Sequence, residues 1–288
     1  MSLSSSRKRG SIISTTQKYF MINFPIILPE LDPVAFAIGP LAIRWYSLAY
    51  IAGILFCLFW LKKSNQREQF LTKDAYDDWI TWSVLSIILG GRFGYVFFYN
   101  FEYFIHHPLE IFAFWHGGMS FHGGLVGAIF GMWLYAKKYK INFLQLMDCL
   151  SVAAPVGLFF GRLANFMNME LFGRVSGSDF GIIFPNAGDL PRHPSQLYEA
   201  FLEGILLFIL LFTLQSKTRI LDYRGKLSGV FLIFYGLSRI LIENFREPDE
   251  QIGFIFAKIT MGQLLSLPLI FLGIYLLLFC KESKKNLA

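Results

Sequence analysis

Apolar runs of roughly 17–22 residues, the length that crosses a bilayer as a helix, recur seven times along this chain. They lie near Leu41–Leu61, Trp79–Phe98, Met119–Ala136, Phe143–Phe160, Gln196–Leu214, Leu227–Phe245 and Thr260–Cys280. Backbone N–H and C=O groups in hydrocarbon must be satisfied within their own segment, so such runs are expected as helices. The predicted fold class is an all-α polytopic membrane protein with seven transmembrane helices. Composition agrees: 16% of the 288 residues are charged, against about 25% in a soluble domain.

The net charge of +6 raises the question of nucleic acid. Its basic residues, however, fall in short clusters between apolar runs, as cytoplasmic membrane flanks do. Membrane lipids are the expected surroundings and nucleic acid is not an expected partner. Fourteen lysines and arginines occupy one set of connections, from Lys62 and Lys63 through Lys138 and Arg219 to Lys285. The opposite set holds five: Arg162, Arg174, Arg192, Arg246 and Lys258. The basic side is cytoplasmic by the positive-inside rule. Seven spans then leave the N-terminus outside and the C-terminus in the cytoplasm.

Two connections on the outer side exceed an ordinary turn. Tyr99–Gly118 is rich in aromatics and histidine, and Gly161–Ser195 is too polar to span. The second is expected to form a small extracytoplasmic head. The Ser/Thr-rich tail Met1–Phe20 reads as a disordered extension, leaving 21–288 as the membrane domain. Cys57, Cys149 and Cys280 lie in apolar runs without metal-type spacing and read as small buried hydrophobes. The sequence contains no CxxC, HExxH, GxSxG or Walker A pattern, so metal, serine-hydrolase and nucleotide chemistry have no support in it.

Ionisable residues inside spans are costly and point to function. Tyr235, Arg239, Glu243 and Arg246 fall within about 80° of one another on a helix of 100° per residue. Gln196, Glu199 and Glu203 share a face of the preceding span. The two faces can pair as a network that holds the bundle. Alternatively Arg239 and Arg246, with Arg162 in the same leaflet, converge on a phosphate, whose oxygens guanidinium meets in bidentate fashion. Both readings stand at this point. In the third span Gly123, Gly127 and Gly131 predict close helix packing. Beside them His122 is either an interfacial hydrogen-bonding residue or a general base suited to neutral pH. Arg92, among glycines in the second span, requires a partner for its charge.

The stretch "GRLANFMNMELFG", Gly161–Gly173, ends the fourth span. With "GGRFGYVFFYN", "GGMSFHGGLVG", "RHPSQLYEA", "YGLSRILIENFREPD" and "TMGQLLSLPLI", in that order, it resembles the prolipoprotein diacylglyceryl transferase family over roughly Phe24 to Tyr275. The resemblance implies an enzyme of the bacterial cytoplasmic (inner) membrane whose site faces the outer leaflet. It implies transfer of the sn-1,2-diacylglyceryl group from phosphatidylglycerol to the lipobox cysteine thiol of a prolipoprotein, releasing glycerol phosphate. This is the first step of lipoprotein biosynthesis, and no cofactor or metal is expected. By match to the family's motifs, His122, Arg239 and Tyr46 are the expected catalytic residues, and Arg162, Asn165 and Arg246 are expected to bind phosphatidylglycerol. Glu170, Gly173, Tyr235 and Glu243 are expected in support: the two glutamates to hold arginines, the glycine to permit a turn. The rival reading is an anion or lipid transporter using the arginine face as its path. It predicts polar residues through the whole membrane depth, whereas here they crowd the outer half.

Overall fold

The computed structural model describes residues 25–178, 180–248, 253–256, 259–280 and 282. The expected extension Met1–Phe20 lies outside the described residues, as do the basic residues Lys258, Lys281, Lys284 and Lys285. The chain is mostly helical. Short strands β1 (Ile26–Ile27), β2 (Val34–Ile38) and β3 (Leu41–Arg44) precede α1 (Trp45–Glu68) and α2 (Lys73–Tyr99). A short α3 (Phe101–His106) leads through 3-10 turns to α4 (Phe121–Lys138) and α5 (Phe143–Met167). After β4 (Ile182–Ile183) come α6 (Ser195–Lys217), α7 (Lys226–Ile242), β5 (Phe254–Phe256), β6 (Ile259–Thr260) and α8 (Met261–Phe279).

Five of these helices, α1, α2, α5, α6 and α8, are long and apolar enough to cross a membrane. The other two long ones are shorter: α4 has 18 residues and closes on Lys137 and Lys138, and α7 has 17 and contains Arg239. Caps explain several starts. Thr72, Ser120, Asn142 and Thr260 each accept a hydrogen bond from a backbone N–H of the first turn, satisfying donors that a helix leaves free.

Three sequence expectations are corrected. Leu41–Arg44, expected as the start of the first span, is the second strand of a β2–β3 hairpin that turns at Gly39, φ 58°. A short apolar run does not distinguish strand from helix, and Gly39–Pro40 supplies the turn. The fourth helix runs to Met167 rather than Phe160, so the expected head at 161–195 loses its first residues to a helix. α7 stops at Ile242, so Glu243 and Arg246 stand beyond the helix, on the turn that follows it.

The helices pack closely as α2 with α4, α1 with α5 and α7 with α8. Glycine makes these approaches possible. A Cβ on Gly90 would stand 2.6 Å from Gly127 Cα, and one on Gly123 would stand 2.7 Å from Gly94 Cα. The predicted glycine face of the third span is thus a helix–helix contact. A core of Trp60, Leu61, Tyr135, Leu146, Leu207 and Leu227 fills the end opposite the long connections. There Asp148 accepts from Gly225 N (2.5 Å), Ser228 N (2.7 Å) and Ser228 Oγ (2.7 Å). It caps α7 from a neighbouring helix, because the residue at the cap position is a glycine.

Short connections join α1 to α2, α4 to α5 and α6 to α7. This up-and-down path brings the start of α1, the ends of α2, α5 and α7 and the starts of α4 and α6 to the same end of the bundle. All the candidate residues sit at that end.

Candidate active site

The last turns of α5 carry Arg162 and Asn165, three apart on one face, and the chain then reverses sharply. Met169 (φ 51°) and Leu171 (φ 56°) are both left-handed, on either side of Glu170. That region is unfavourable for residues with a side chain and persists only where the surroundings enforce it. Here Glu170 N donates to Asn165 O (3.1 Å). The start of α6 binds the next two carbonyls: Gln196 Nε2 donates to Glu170 O (2.7 Å) and Ser195 Oγ to Leu171 O (2.9 Å). The turn aims the Glu170 carboxylate back at α5 and α1. Its Oε1 accepts from the Tyr46 hydroxyl and from Asn165 Nδ2 (3.2 Å), and Asn165 Nδ2 also donates to Tyr46. Glu170 therefore holds a tyrosine and an asparagine, where an arginine partner is expected from the sequence.

The arginines meet other carboxylates. Arg162 Nε lies 3.1 Å from Glu199 Oε2, and its Nη2 lies 3.2 Å from Glu203 Oε2. Arg239 pairs with Glu199 Oε1 and, at 2.6 Å, with Glu243 Oε1. Arg246 Nη1 lies 3.2 Å from Glu199 Oε1. One carboxylate thus bridges three guanidinium groups from α5, α7 and the turn after α7. The three arginines and three glutamates balance in charge, as ion pairs out of water must. The glutamates stand behind: side-chain exposure is 0% for Glu199 and Glu203 and 16% for Arg162 and Arg239. Glu203 Oε1 is buried with no hydrogen-bond donor among the described residues. Tyr235 interacts electrostatically with Glu203, Arg162 and Arg239. Tyr46 also interacts electrostatically with Arg162.

Within α6, Ala200–Leu206 forms a π-helical stretch directly after Glu199. Such stretches are rare and frequent at functional sites. In it Gly204 packs against Phe159 of α5, where a Cβ would come within 2.7 Å of Phe159 Cβ. The same pair of helices carries Glu199 and Glu203 opposite Arg162.

Gly173 is not at a turn: its φ lies outside the left-handed region. A Cβ there would stand 2.5 Å from both His193 O and Phe245 O. Gly173 N donates to His193 O (2.8 Å), and Gly173 bridges to Arg246 as a strand partner. The glycine lets two chain segments close on a third, and that closure places Arg246.

His122 stands apart. It is exposed at the second position of α4, with the ring of Phe121 5.7 Å away and no hydrogen bond among the described residues. Arg92, 3% exposed, finds its partners in backbone carbonyls.

A model of the family described as prolipoprotein diacylglyceryl transferase matches residues 33–279. The chain belongs to this family. A phosphatidylglycerol--prolipoprotein diacylglyceryl transferase of Rickettsia felis is 50% identical over 258 residues, 89% of this chain and 99% of that protein. One of Ehrlichia canis, of the same name, is 52% identical over 257 residues, 88% and 98% of the two chains. The span matched to the prolipoprotein diacylglyceryl transferase family contains every candidate residue, from Tyr46 to Arg246. Glu199 and Glu203 also lie in it. The sequence offers them as one side of a pairing network, and they are not among the residues to which the family resemblance assigns a role.

Proposed function

We propose that this chain transfers the sn-1,2-diacylglyceryl group of phosphatidylglycerol to the thiol of a lipobox cysteine in a prolipoprotein. The products are a thioether and glycerol phosphate, and the reaction is the first step of bacterial lipoprotein maturation. The family and its relatives' names support this reading. The observation that carries it is the order of charges at the site: arginines with residual exposure in front, buried carboxylates behind. An anionic headgroup meets guanidinium before it meets carboxylate.

In this reading residues 21–288 form one transferase unit with seven spans in the cytoplasmic membrane. The N-terminus lies outside, the C-terminus inside, and the site faces the outer leaflet beneath a head formed by the chain after Met167. Both substrates are membrane-anchored.

The chemistry follows from the groups. A thiol has a pKa of about 8.5 and is a weak nucleophile until ionised. His122 takes the thiol proton. The sulfur then attacks the glycerol carbon that carries the phosphate ester, and the C–O bond breaks with its electron pair moving to the phosphate oxygen. Arg162 and Arg239 meet the charge growing there, as pre-oriented donors do in a site of low dielectric. Arg246 holds the headgroup, with Glu243 fixing both late arginines and Tyr235 beside them. Tyr46 and Asn165, tied by Glu170, orient the ester oxygens.

The test is direct. Purified protein is incubated with phosphatidylglycerol and a lipobox peptide, and the peptide is weighed by mass spectrometry. A gain of one diacylglyceryl group is expected. A well-folded preparation that adds nothing, yet moves labelled lipid across vesicles, would replace this reading with transport.

A further inference from the structure

The geometry points to Arg92 as a positioning residue for His122: it clamps the loop that sets where α4 begins. The inference rests on the reading of His122 as the base. Arg92 lies near the outer end of α2 and spends its guanidinium on main-chain oxygens alone. Nε donates to Ile111 O (2.8 Å), Nη2 to Glu110 O (2.6 Å), and Nη1 to Gly117 O (2.5 Å) and Gly118 O (3.2 Å). The rings of Phe104 and Phe114 lie 5.1 and 6.0 Å from its Cζ. An arginine this buried, with no carboxylate partner among the described residues, is stabilised only while those carbonyls stay in place.

The clamp reaches His122 in four residues. Gly117 and Gly118 are left-handed, at φ 77° and 75°, and a Cβ on Gly118 would meet the Tyr95 ring of α2 at 2.5 Å. Ser120 N then donates to Gly91 O (2.9 Å), next to Arg92, and Ser120 Oγ caps α4 by accepting from Gly123 N (3.2 Å). His122 follows at the second position of the helix. Its own side chain has no hydrogen bond among the described residues, so only the backbone fixes its place. A cavity of about 240 Å³ lies alongside, lined in part by Arg92, Tyr103, Glu110 and His116. If the guanidinium were removed, the loop would have room to collapse. There the Tyr103 hydroxyl donates to Glu110 Oε2 (2.7 Å), a bond that raises the phenol above its ordinary range.

The experiment separates a displaced base from a damaged site. Arg92→Gln and His122→Asn are compared with the parent on two lipobox peptides, one with cysteine and one with selenocysteine. A selenol ionises at lower pH than a thiol and needs no base near neutrality. Misplacing a general base is expected to lower kcat on the thiol peptide about a hundredfold. In Arg92→Gln the KM for phosphatidylglycerol and the rate on the selenol peptide should stay close to the parent's. Equal losses on both peptides, or no loss on either, would overturn the inference. If His122→Asn keeps full thiol transfer, the reading of His122 as base fails instead. If His122→Asn shows the split and Arg92→Gln does not, only the clamp fails. Should Arg92→Gln not fold, Gly118→Ala disturbs the same loop from the Tyr95 side and must show the same split.

Discussion

The hydroxyl of Tyr46, the second residue of α1, donates to the carboxylate of Glu170, 124 positions further along the chain. The bond ties the start of the first long helix to the turn that follows α5, with Asn165 closing the triangle. A hydrogen bond to a charged group contributes about 1.5–3 kcal/mol. Tyr46→Phe removes the donor and leaves Asn165 as the carboxylate's side-chain partner. Transfer should fall about ten- to a hundredfold in the mass-shift assay, with the elution profile unchanged. Glu170→Gln should fall further, because it weakens both contacts at once. Equal activity in Tyr46→Phe and parent would remove the triangle from the chemistry.

The first and last glycines of the Gly161–Gly173 stretch should respond in opposite ways to alanine. At Gly161 a Cβ meets nothing within 4 Å, and the residue is helical. Alanine there should stabilise the fold by up to about 1 kcal/mol, its propensity advantage over glycine. At Gly173 the same atom meets two backbone carbonyl oxygens at 2.5 Å. Backbone cannot step aside as a flexible side chain does, so Gly173→Ala should cost about 1–3 kcal/mol and displace Arg246. Thermal unfolding of the two variants in detergent checks this, and a Gly173→Ala protein as stable as the parent would contradict it.

Much of this site was legible before the fold was known. The shared face of Tyr235 and Arg239 and the glycine face at Gly123 follow from helical periodicity. Other features depend on backbone states that composition does not signal. Met169 and Leu171 give no hint of a left-handed conformation, so the partner of Glu170 was expected to be an arginine. The apolar residues Leu41–Ile43 merge with the first span in a hydropathy window, although with Arg44 they pair with Val34–Ile38. The π-helical stretch at Ala200–Leu206 lies in an ordinary helical sequence. The pairing of Glu199 with arginines is one of the two readings its helix face offers in the sequence; that one carboxylate bridges three of them is set by the packing of α5, α6 and α7.

That carboxylate gives the next prediction. Glu199 bridges Arg162, Arg239 and Arg246, so Glu199→Gln leaves three guanidinium groups facing two carboxylates. Removing one partner of a buried ion pair costs roughly 3–5 kcal/mol, and the melting temperature should drop by several degrees. An anionic lipid headgroup would restore the missing charge. Phosphatidylglycerol should therefore raise the melting temperature of the variant more than that of the parent, whereas uncharged diacylglycerol should not. Equal shifts by both lipids would show that the arginines do not meet the headgroup.

The opposite end of the bundle offers a contrast. Asp148 is 2% exposed and receives two backbone N–H groups and a serine hydroxyl at the start of α7. Asp148→Ala would leave Gly225 N and Ser228 N buried without their acceptor, at about 1–3 kcal/mol for each group. The helix would also lose a negative charge at its positive end. α7 carries Tyr235 and Arg239 about three and about four turns beyond the Gly225 cap, along a rigid element. The variant should therefore unfold at a lower temperature, yet keep the parent's KM for phosphatidylglycerol in assays run well below that transition. A raised KM in the folded variant would mean that the α7 cap is coupled to the arginine site, and that Asp148 does more than hold the helix.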